Sequence, residues 1–182
     1  MTRIVAVSGS RRTASTTRAA LSVALDAAAD AGAETDLIDL GAVDLPLYHP
    51  DEDGQGDSEA LTRRVREADG VLAGTPVYRG SYSSTFKNFH DFCGSDEYAN
   101  TAVGLLATAG GGSYGGTLEH LRSTFRNVHA WTVPHEVGIR GASSVVETGD
   151  ADAGPRITDD DIRRRTETLG RVVVEHAERL RE

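Results

Sequence analysis

The sequence predicts an α/β protein in which five parallel strands form one sheet with helices on both faces. Strand-like and helix-like segments alternate five times, and the strands are short, continuous apolar runs, as expected for strands buried on both faces. The 182 residues are also enough for one compact domain, so a single domain over 1–182 is expected. The commonest order for such a sheet is 2-1-3-4-5, which opens a ligand crevice at the carboxyl ends of strands 1 and 3.

Each element follows from a local pattern. Leu21, Ala24, Leu25 and Ala28 recur at helical spacing before Gly32 ends the first helix. Residues 41–57 and 141–155 are small and polar and are predicted to be loops. The predicted strands are 4–7, 36–40, 70–75, 103–107 and 130–133, and the predicted helices are 15–31, 58–65, 83–92, 115–127 and 159–181.

The charge balance disfavours large anionic partners. There are 19 Lys+Arg against 28 Asp+Glu, a net charge of −9, and no basic stripe offsets it. Nucleic acid and anionic membranes are therefore not expected as partners. Lys87 is the only lysine beside 18 arginines. A salt-adapted cytoplasm and a GC-rich genome explain that bias equally well.

Cysteine and histidine usage gives no support for a disulfide or a metal site. Cys93 is the only cysteine, which excludes an intrachain disulfide, and the six histidines show no ligand spacing. The chain begins without a charged and then apolar leader, and its apolar runs are too short to span a bilayer. A reduced, cytoplasmic protein is expected.

The loop after the first strand, residues 8–17, concentrates hydroxyl and guanidinium groups. Arg11 and Arg12 lie there between Ser10 and Ser15, directly before a helix. Free N–H groups at a helix N-terminus, together with such donors, bind phosphate. A solvated loop with Ser15 as an ordinary N-cap explains the residues equally well. No Gly-Lys-Ser/Thr follows, so this is not a Walker loop.

The loops after the third and fourth strands suit a flat ligand. Residues 76–81 form a rigid turn that either faces such a ligand or packs Tyr78 in the core. Residues 108–116 hold five glycines, which let the backbone approach a ring closely. Gly110, Gly112 and Gly115 also fit the G-x-G-x-x-G dinucleotide pattern. That pattern comes too late in the chain to be followed by a dinucleotide fold.

Together these segments resemble the NADPH-dependent FMN reductase family of flavodoxin-like proteins, which also contains quinone, azo-dye and chromate reductases. The resemblance is carried by residues 9–12 with Ser15 and Thr17, by 76–81 running into 86–88 and Asp91, and by 115–116 followed by 119–122. It continues through 130–134 and covers most of residues 3–140. It implies a flavodoxin-like three-layer sandwich.

The resemblance also implies which residues bind FMN. The first loop matches the segment that holds the phosphate, the second the segment against the isoalloxazine and ribityl chain, and the third the stretch beside the pyrimidine end. Val77 and the bulky Tyr82 differ from the family pattern and leave substrate choice open. The implied cofactor-binding residues are Ser10, Arg12, Ser15, Thr16, Thr17, Pro76, Val77, Tyr78, Arg79, Ser81, Ala109, Gly110, Gly111 and Gly112.

The implied activity is electron transfer from NADPH or NADH through bound FMN to free FMN, a quinone or a similar small acceptor. No protein acid or base is required, so no side chain is assigned a catalytic role. Family relatives are commonly oligomers, so a homodimer or homotetramer is expected, with Trp131 or the third helix at the contact. Two alternatives remain at this point: a non-enzymatic flavodoxin-like electron carrier, and a Rossmann-type nucleotide-binding protein.

Overall fold

Five parallel strands form the central sheet of the computed structural model, which describes residues 1–149 and 154–181. The strands are β1 (Arg3–Ser8), β2 (Glu34–Asp39), β3 (Gly70–Pro76), β4 (Ala102–Ala109) and β5 (Trp131–Arg140). Their order across the sheet is β2-β1-β3-β4-β5, with every neighbouring pair parallel. The predicted sheet order is confirmed.

Helices cover both faces of the sheet. They are α1 (Thr16–Asp30), α2 (Ser58–Arg66), α3 (Ser84–Asp91), α4 (Ser95–Tyr98), α5 (Gly115–Asn127), α6 (Ala142–Val145) and α7 (Asp160–Arg181). On β1, Ile4 and Ala6 belong to a core shared with α1 and α7, whereas Val5 and Val7 belong to a core shared with α2, α3 and α5. This alternation, which follows from the two-residue period of a strand, divides the interior into two cores and gives the predicted three-layer sandwich.

Two of the helices that begin at the carboxyl edge of the sheet, α1 and α3, have serine caps. The Ser15 hydroxyl accepts a hydrogen bond from the Arg18 N–H at 3.1 Å, and the Ser83 hydroxyl accepts one from the Phe86 N–H at 3.1 Å. Each cap satisfies one N–H that has no carbonyl partner in the first helical turn. Both caps therefore fix where a loop of the crevice ends and its helix begins.

The prediction for β5 was too short, because Pro134, His135 and Glu136 interrupt its apolar run. The strand continues to Arg140, and its pairing with β4 shifts in register between Val103 and Leu105. A bulge absorbs the interruption there, since extra residues on one strand can remain unpaired while the ladder resumes beyond them.

Residues 141–155 contain more structure than the predicted loop. They include α6 and the short strand β6 (Val146–Glu147), which pairs antiparallel with β7 (Arg156–Ile157). Residues 150–153 of that predicted loop lie outside the described residues. The polar composition concealed these elements because each is only two to four residues long.

A glycine sets the distance between α1 and α7. A Cβ on Gly170 would lie 2.0 Å from the Ala24 carbonyl oxygen, which no native contact tolerates. The two helices therefore pack backbone to backbone, as small residues allow.

Candidate active site

The first loop places its hydroxyls and the Arg11 and Arg12 guanidinium groups at the start of α1. Ser10, Ser15 and Thr17 are buried there, whereas Arg12 is exposed. The N–H groups of Thr16 and Thr17 occupy the first helical turn, where no intrahelical carbonyl is available to them. The site thus offers unsatisfied backbone donors, hydroxyls and a positive charge at the positive end of a helix dipole.

Arg18 holds this loop against β2. Its guanidinium donates to the Asp39 carboxylate at 2.6 Å and to the Thr13 carbonyl at 2.5 Å. Arg12, by contrast, has no carboxylate within salt-bridge distance in the described part of the chain. Arg12, like Arg11, is therefore an exposed charge that the loop presents outward.

The second loop is a tight turn between Tyr78 and Ser81. The two residues exchange both backbone hydrogen bonds, at 2.9 and 3.1 Å, and the central residues Arg79 and Gly80 have φ values of 53° and 80°. Two left-handed residues in succession form a type I′ turn. The alternative that Tyr78 packs in the core is wrong, since its side chain is 49% exposed.

The third loop presents bare backbone. A Cβ added at Gly110, Gly111 or Gly112 would meet nothing within 4 Å, so these glycines border open space. The loop is anchored from behind, because the Arg140 side chain donates to the Gly111 carbonyl at 3.0 Å. An anchored glycine strip beside open space is the shape expected where the backbone lies against a flat ligand.

Hydrogen bonds join the three loops into one edge. The Thr17 and Thr108 hydroxyls lie 2.5 Å apart, linking the start of α1 to the end of β4. The Val77 N–H donates to the Thr108 carbonyl at 2.8 Å, and the Ser83 hydroxyl donates to the Gly9 carbonyl at 2.6 Å. The structure thus brings together segments that the sequence separates by up to about a hundred residues.

Each predicted site residue lies along this edge. Pro76 and Ala109 are the buried last residues of β3 and β4, and Val77 is half-buried beside them. Tyr78, Arg79 and the three glycines are exposed at the surface of the edge.

Sequence reasoning missed three residues here: Ser83, Thr108 and His120. The Ser81 hydroxyl lies 3.0 Å from His120 Nδ1 on α5. Ser83 could have been found as a helix cap, but nothing in the sequence indicates the two long-range hydrogen-bond partners, Thr108 and His120.

The most strongly perturbed buried groups lie elsewhere, between α3, α4 and α5. Burial raises the pKa of the Cys93 thiol and of the Tyr98 phenol, and burial lowers the pKa of His90. His90 and Tyr98 pack against the Phe125 ring at centroid distances of 4.9 and 5.1 Å. This cluster is a packed aromatic core whose titratable groups are held neutral.

The described residues offer no metal centre and no membrane span. Across 1–149 and 154–181, no group of three or more His, Cys, Asp or Glu side chains could hold a metal ion. No helix in that part of the chain is both long and apolar enough to cross a bilayer.

The sheet order and the three joined loops at its carboxyl edge define a flavodoxin-like α/β protein. Comparison with solved structures agrees. The apo form of the NADH:FMN oxidoreductase EMOB superposes with a TM-score of 0.76 at 21% identity, covering 96% of this chain and 89% of the other. FerB, an NAD(P)H:(acceptor) oxidoreductase from Paracoccus denitrificans, gives 0.76 at 21% identity, covering 98% of each chain. At such identities the likeness concerns the fold.

The chain belongs to the NADPH-dependent FMN reductase family, whose model matches residues 2–144. An NADPH azoreductase of a Bacillus species (strain OY1-2) is 37% identical over 132 residues, which is 69% of this chain and 72% of that protein. The NADH-dependent FMN reductase SfnE of Pseudomonas putida is 40% identical over 77 residues, 42% of this chain and 41% of its own. The chain is thus an oxidoreductase that uses FMN and NAD(P)H, which favours the flavin reductase interpretation over the two alternatives.

Proposed function

We propose that the three joined loops bind FMN in one orientation and that the chain uses NAD(P)H to reduce a small acceptor against the exposed side of that site. The observation that carries the proposal is the edge itself. It holds a phosphate-type helix N-terminus at one end and a bare glycine strip at the other, linked by the Thr17–Thr108 hydrogen bond.

The donor set at the start of α1 suits a phosphate ester. The N–H groups of Thr16 and Thr17, the hydroxyls of Ser10 and Ser15, and the Arg12 guanidinium all lie in one loop. A phosphate dianion is favoured at this position by the helix dipole and by charge-assisted hydrogen bonds. In a chain with a net charge of −9, this local positive charge favours the phosphate end of FMN at this loop.

The other two loops suit a flat ring. The third loop borders open space at Gly110, Gly111 and Gly112, where a Cβ would project. The half-exposed Tyr78 lies on the turn of the second loop. When bound, FMN supplies the two-electron transfer between NAD(P)H and the acceptor. The glycine N–H groups would favour negative charge on the ring, as fixed backbone dipoles do. The turn holding Arg79 presents its guanidinium at the exposed face, where it would meet the phosphates of the nicotinamide nucleotide.

A titration with FMN tests the proposal. We expect the fluorescence of FMN to be quenched when it binds. We expect Arg12→Ala to weaken FMN binding by at least about tenfold, since a hydrogen bond to a charged group contributes about 1.5–3 kcal/mol. Arg171→Ala is the matched control: Arg171 is an exposed arginine on α7, and within residues 1–149 and 154–181 its side chain donates only to the Thr168 hydroxyl. The proposal fails if saturating FMN neither binds nor raises the Tm of the wild type.

Turnover separates an enzyme from an electron carrier. The FMN-loaded protein should oxidise NADPH or NADH steadily when a quinone or free FMN is supplied. A carrier that exchanges electrons only with protein partners would bind FMN and show no such oxidation.

We further propose that the chain forms a homodimer or homotetramer in the cytoplasm. Trp131 supports the first part, because its side chain is 61% exposed beside a cavity of about 550 Å³ at the start of β5. Light scattering of the wild type and Trp131→Ser tests it, with dissociation expected for the variant. A reduced, buried Cys93 is consistent with the cytoplasm, and cell fractionation checks that location.

A further inference from the structure

The second loop contacts the chain on both sides of the glycine strip formed by residues 110–112. Before the strip, the Val77 N–H donates to the Thr108 carbonyl at 2.8 Å. After the strip, a Cβ added at Gly116 on α5 would lie 3.6 Å from the Gly80 carbonyl oxygen, which is ordinary van der Waals contact. The turn of the second loop therefore lies directly beside the strip.

His120 extends the contact between α5 and this turn. It lies four positions after Gly116, on the same face of the helix. Its Nδ1 is 3.0 Å from the Ser81 hydroxyl oxygen, and the Tyr82 ring meets the imidazole edge-on at a centroid distance of 6.3 Å. Although His120 is exposed, two adjacent residues of the second loop thus hold its ring in one orientation.

The Ser81 hydroxyl has hydrogen-bonding capacity that the protein leaves unused. A serine hydroxyl has one proton to donate and two lone pairs that accept. Within residues 1–149 and 154–181, His120 is the one group that hydrogen-bonds this hydroxyl. Two hydrogen bonds with Tyr78 fix the backbone of Ser81, so only rotation about the Cα–Cβ bond is left to place the hydroxyl. The hydrogen bond to His120 fixes that rotation.

An imidazole can hold the hydroxyl in either hydrogen-bonding direction. Nδ1 of His120 accepts from Ser81 when the ring proton is on Nε2, and it donates to Ser81 when the proton is on Nδ1. In the first case the hydroxyl offers a lone pair to a ligand, and in the second it offers its proton. Such a hydroxyl is fixed in position but not in its role, which suits a cofactor whose ring changes charge on reduction.

We propose that His120 is a positioning residue for FMN and that it acts through the Ser81 hydroxyl. It holds this hydroxyl where the second loop meets the cofactor, and it does not itself touch FMN. The inference rests on the proposed function, in which Ser81 is one of the residues that contact FMN.

A double-mutant cycle on FMN affinity tests this role. The variants are Ser81→Ala, His120→Leu and the double variant, each titrated with FMN and followed by fluorescence. Each single variant should weaken FMN binding by about two- to tenfold, which is the size of effect that one hydrogen bond produces. The double variant should bind FMN no more weakly than Ser81→Ala, because His120 has no effect left once the hydroxyl is gone.

Two further variants separate positioning from a general loss of packing. His120→Asn places an amide oxygen or nitrogen near the position of Nδ1, so it should bind FMN as the wild type does. His176→Leu serves as the control, because His176 Nδ1 lies 2.9 Å from the Val172 carbonyl on α7, a helix that contributes to none of the three loops. It should leave FMN affinity unchanged.

The inference is overturned if the effects of Ser81→Ala and His120→Leu add, or if either single variant binds FMN normally. It is also overturned if His120→Asn binds FMN as weakly as His120→Leu. The Tm of each variant without FMN checks that it folds, as expected for an exposed and a half-buried position. Failure of the wild type to bind FMN removes the proposed function instead, so the two proposals can fail separately.

Discussion

Replacing Gly112 by alanine should separate cofactor binding from stability. A Cβ at this position meets no atom within 4 Å, and the φ angle of Gly112 lies outside the left-handed range that side chains avoid. Without FMN bound, the folded chain therefore accommodates the alanine methyl group without strain. The unfolded chain loses conformational freedom, so Gly112→Ala should stabilise the fold by about 0.4–1 kcal/mol.

The expected change in Tm is correspondingly small and positive. At about 2–4 °C per kcal/mol for a chain of this size, Tm should rise by about 1–4 °C. FMN affinity should move the other way, because the methyl group would occupy the space against which the ring lies. Loss of close contact together with one backbone hydrogen bond, worth about 0.5–1.5 kcal/mol, weakens binding by up to about tenfold.

Gly154→Ala is the matched control. Among the described residues, Gly154 also has no atom within 4 Å of its Cβ position and also lies outside the left-handed range, but it precedes β7 and belongs to none of the three loops. It should raise Tm similarly and leave FMN affinity unchanged. Differential scanning fluorimetry and FMN fluorescence titration measure the two quantities. If Gly112→Ala binds FMN as the wild type does, or lowers Tm by several degrees, the reasoning about the glycine strip is wrong.

Three further predictions concern the rest of the fold. Gly170→Ala should lower the free energy of unfolding in urea by about 2 kcal/mol, because its Cβ would lie 2.0 Å from the Ala24 carbonyl oxygen and the helix backbone cannot move away. This loss should exceed the gain in helix propensity of about 1 kcal/mol. Unchanged stability would contradict the close packing of α1 and α7. Burial lowers the pKa of His90, so the neutral imidazole costs the folded state no stability above the unfolded pKa near 6.5. As the pH falls from there toward the folded pKa, the free energy of unfolding should decrease by at most about 1.4 kcal/mol per pH unit. His90→Gln should flatten this decrease in a series of urea unfolding curves between pH 7.5 and 5. Cys93 should resist iodoacetamide at pH 8 until urea unfolds the chain, since burial raises the pKa of its thiol; rapid native labelling, followed by mass spectrometry, would contradict this.

The sheet was predictable because its strands are buried on both faces. Runs such as 4–7 and 103–107 carry that signal within four or five residues, and the connecting helices force the strands to be parallel. The predicted β5 was too short because its apolar run is interrupted. Its pairing with β4 tolerates Pro134 through a bulge, and tolerance of this kind depends on the partner strand, which no local pattern contains.

The candidate site was predictable as three loops but not as a set of contacts. Topology alone places the loops at one edge, whereas the pairs that lock them are far apart in the chain. Thr17 and Thr108 are separated by 91 positions, and Ser81 and His120 by 39. Neither pair leaves a trace in spacing or composition, because a single hydroxyl suits many environments.

The position of α7 has a consequence for synthesis on the ribosome. One face of the sheet has its helices, α2, α3 and α5, in place once residue 127 has emerged. The other face is covered by α1 and α7, and α7 supplies Leu169, Val173 and Val174 to that core. At roughly 5–20 residues per second, the apolar surface of β3 and β4 on that face stays uncovered for some seconds while α7 is made. During that interval this apolar surface is open to association with other chains.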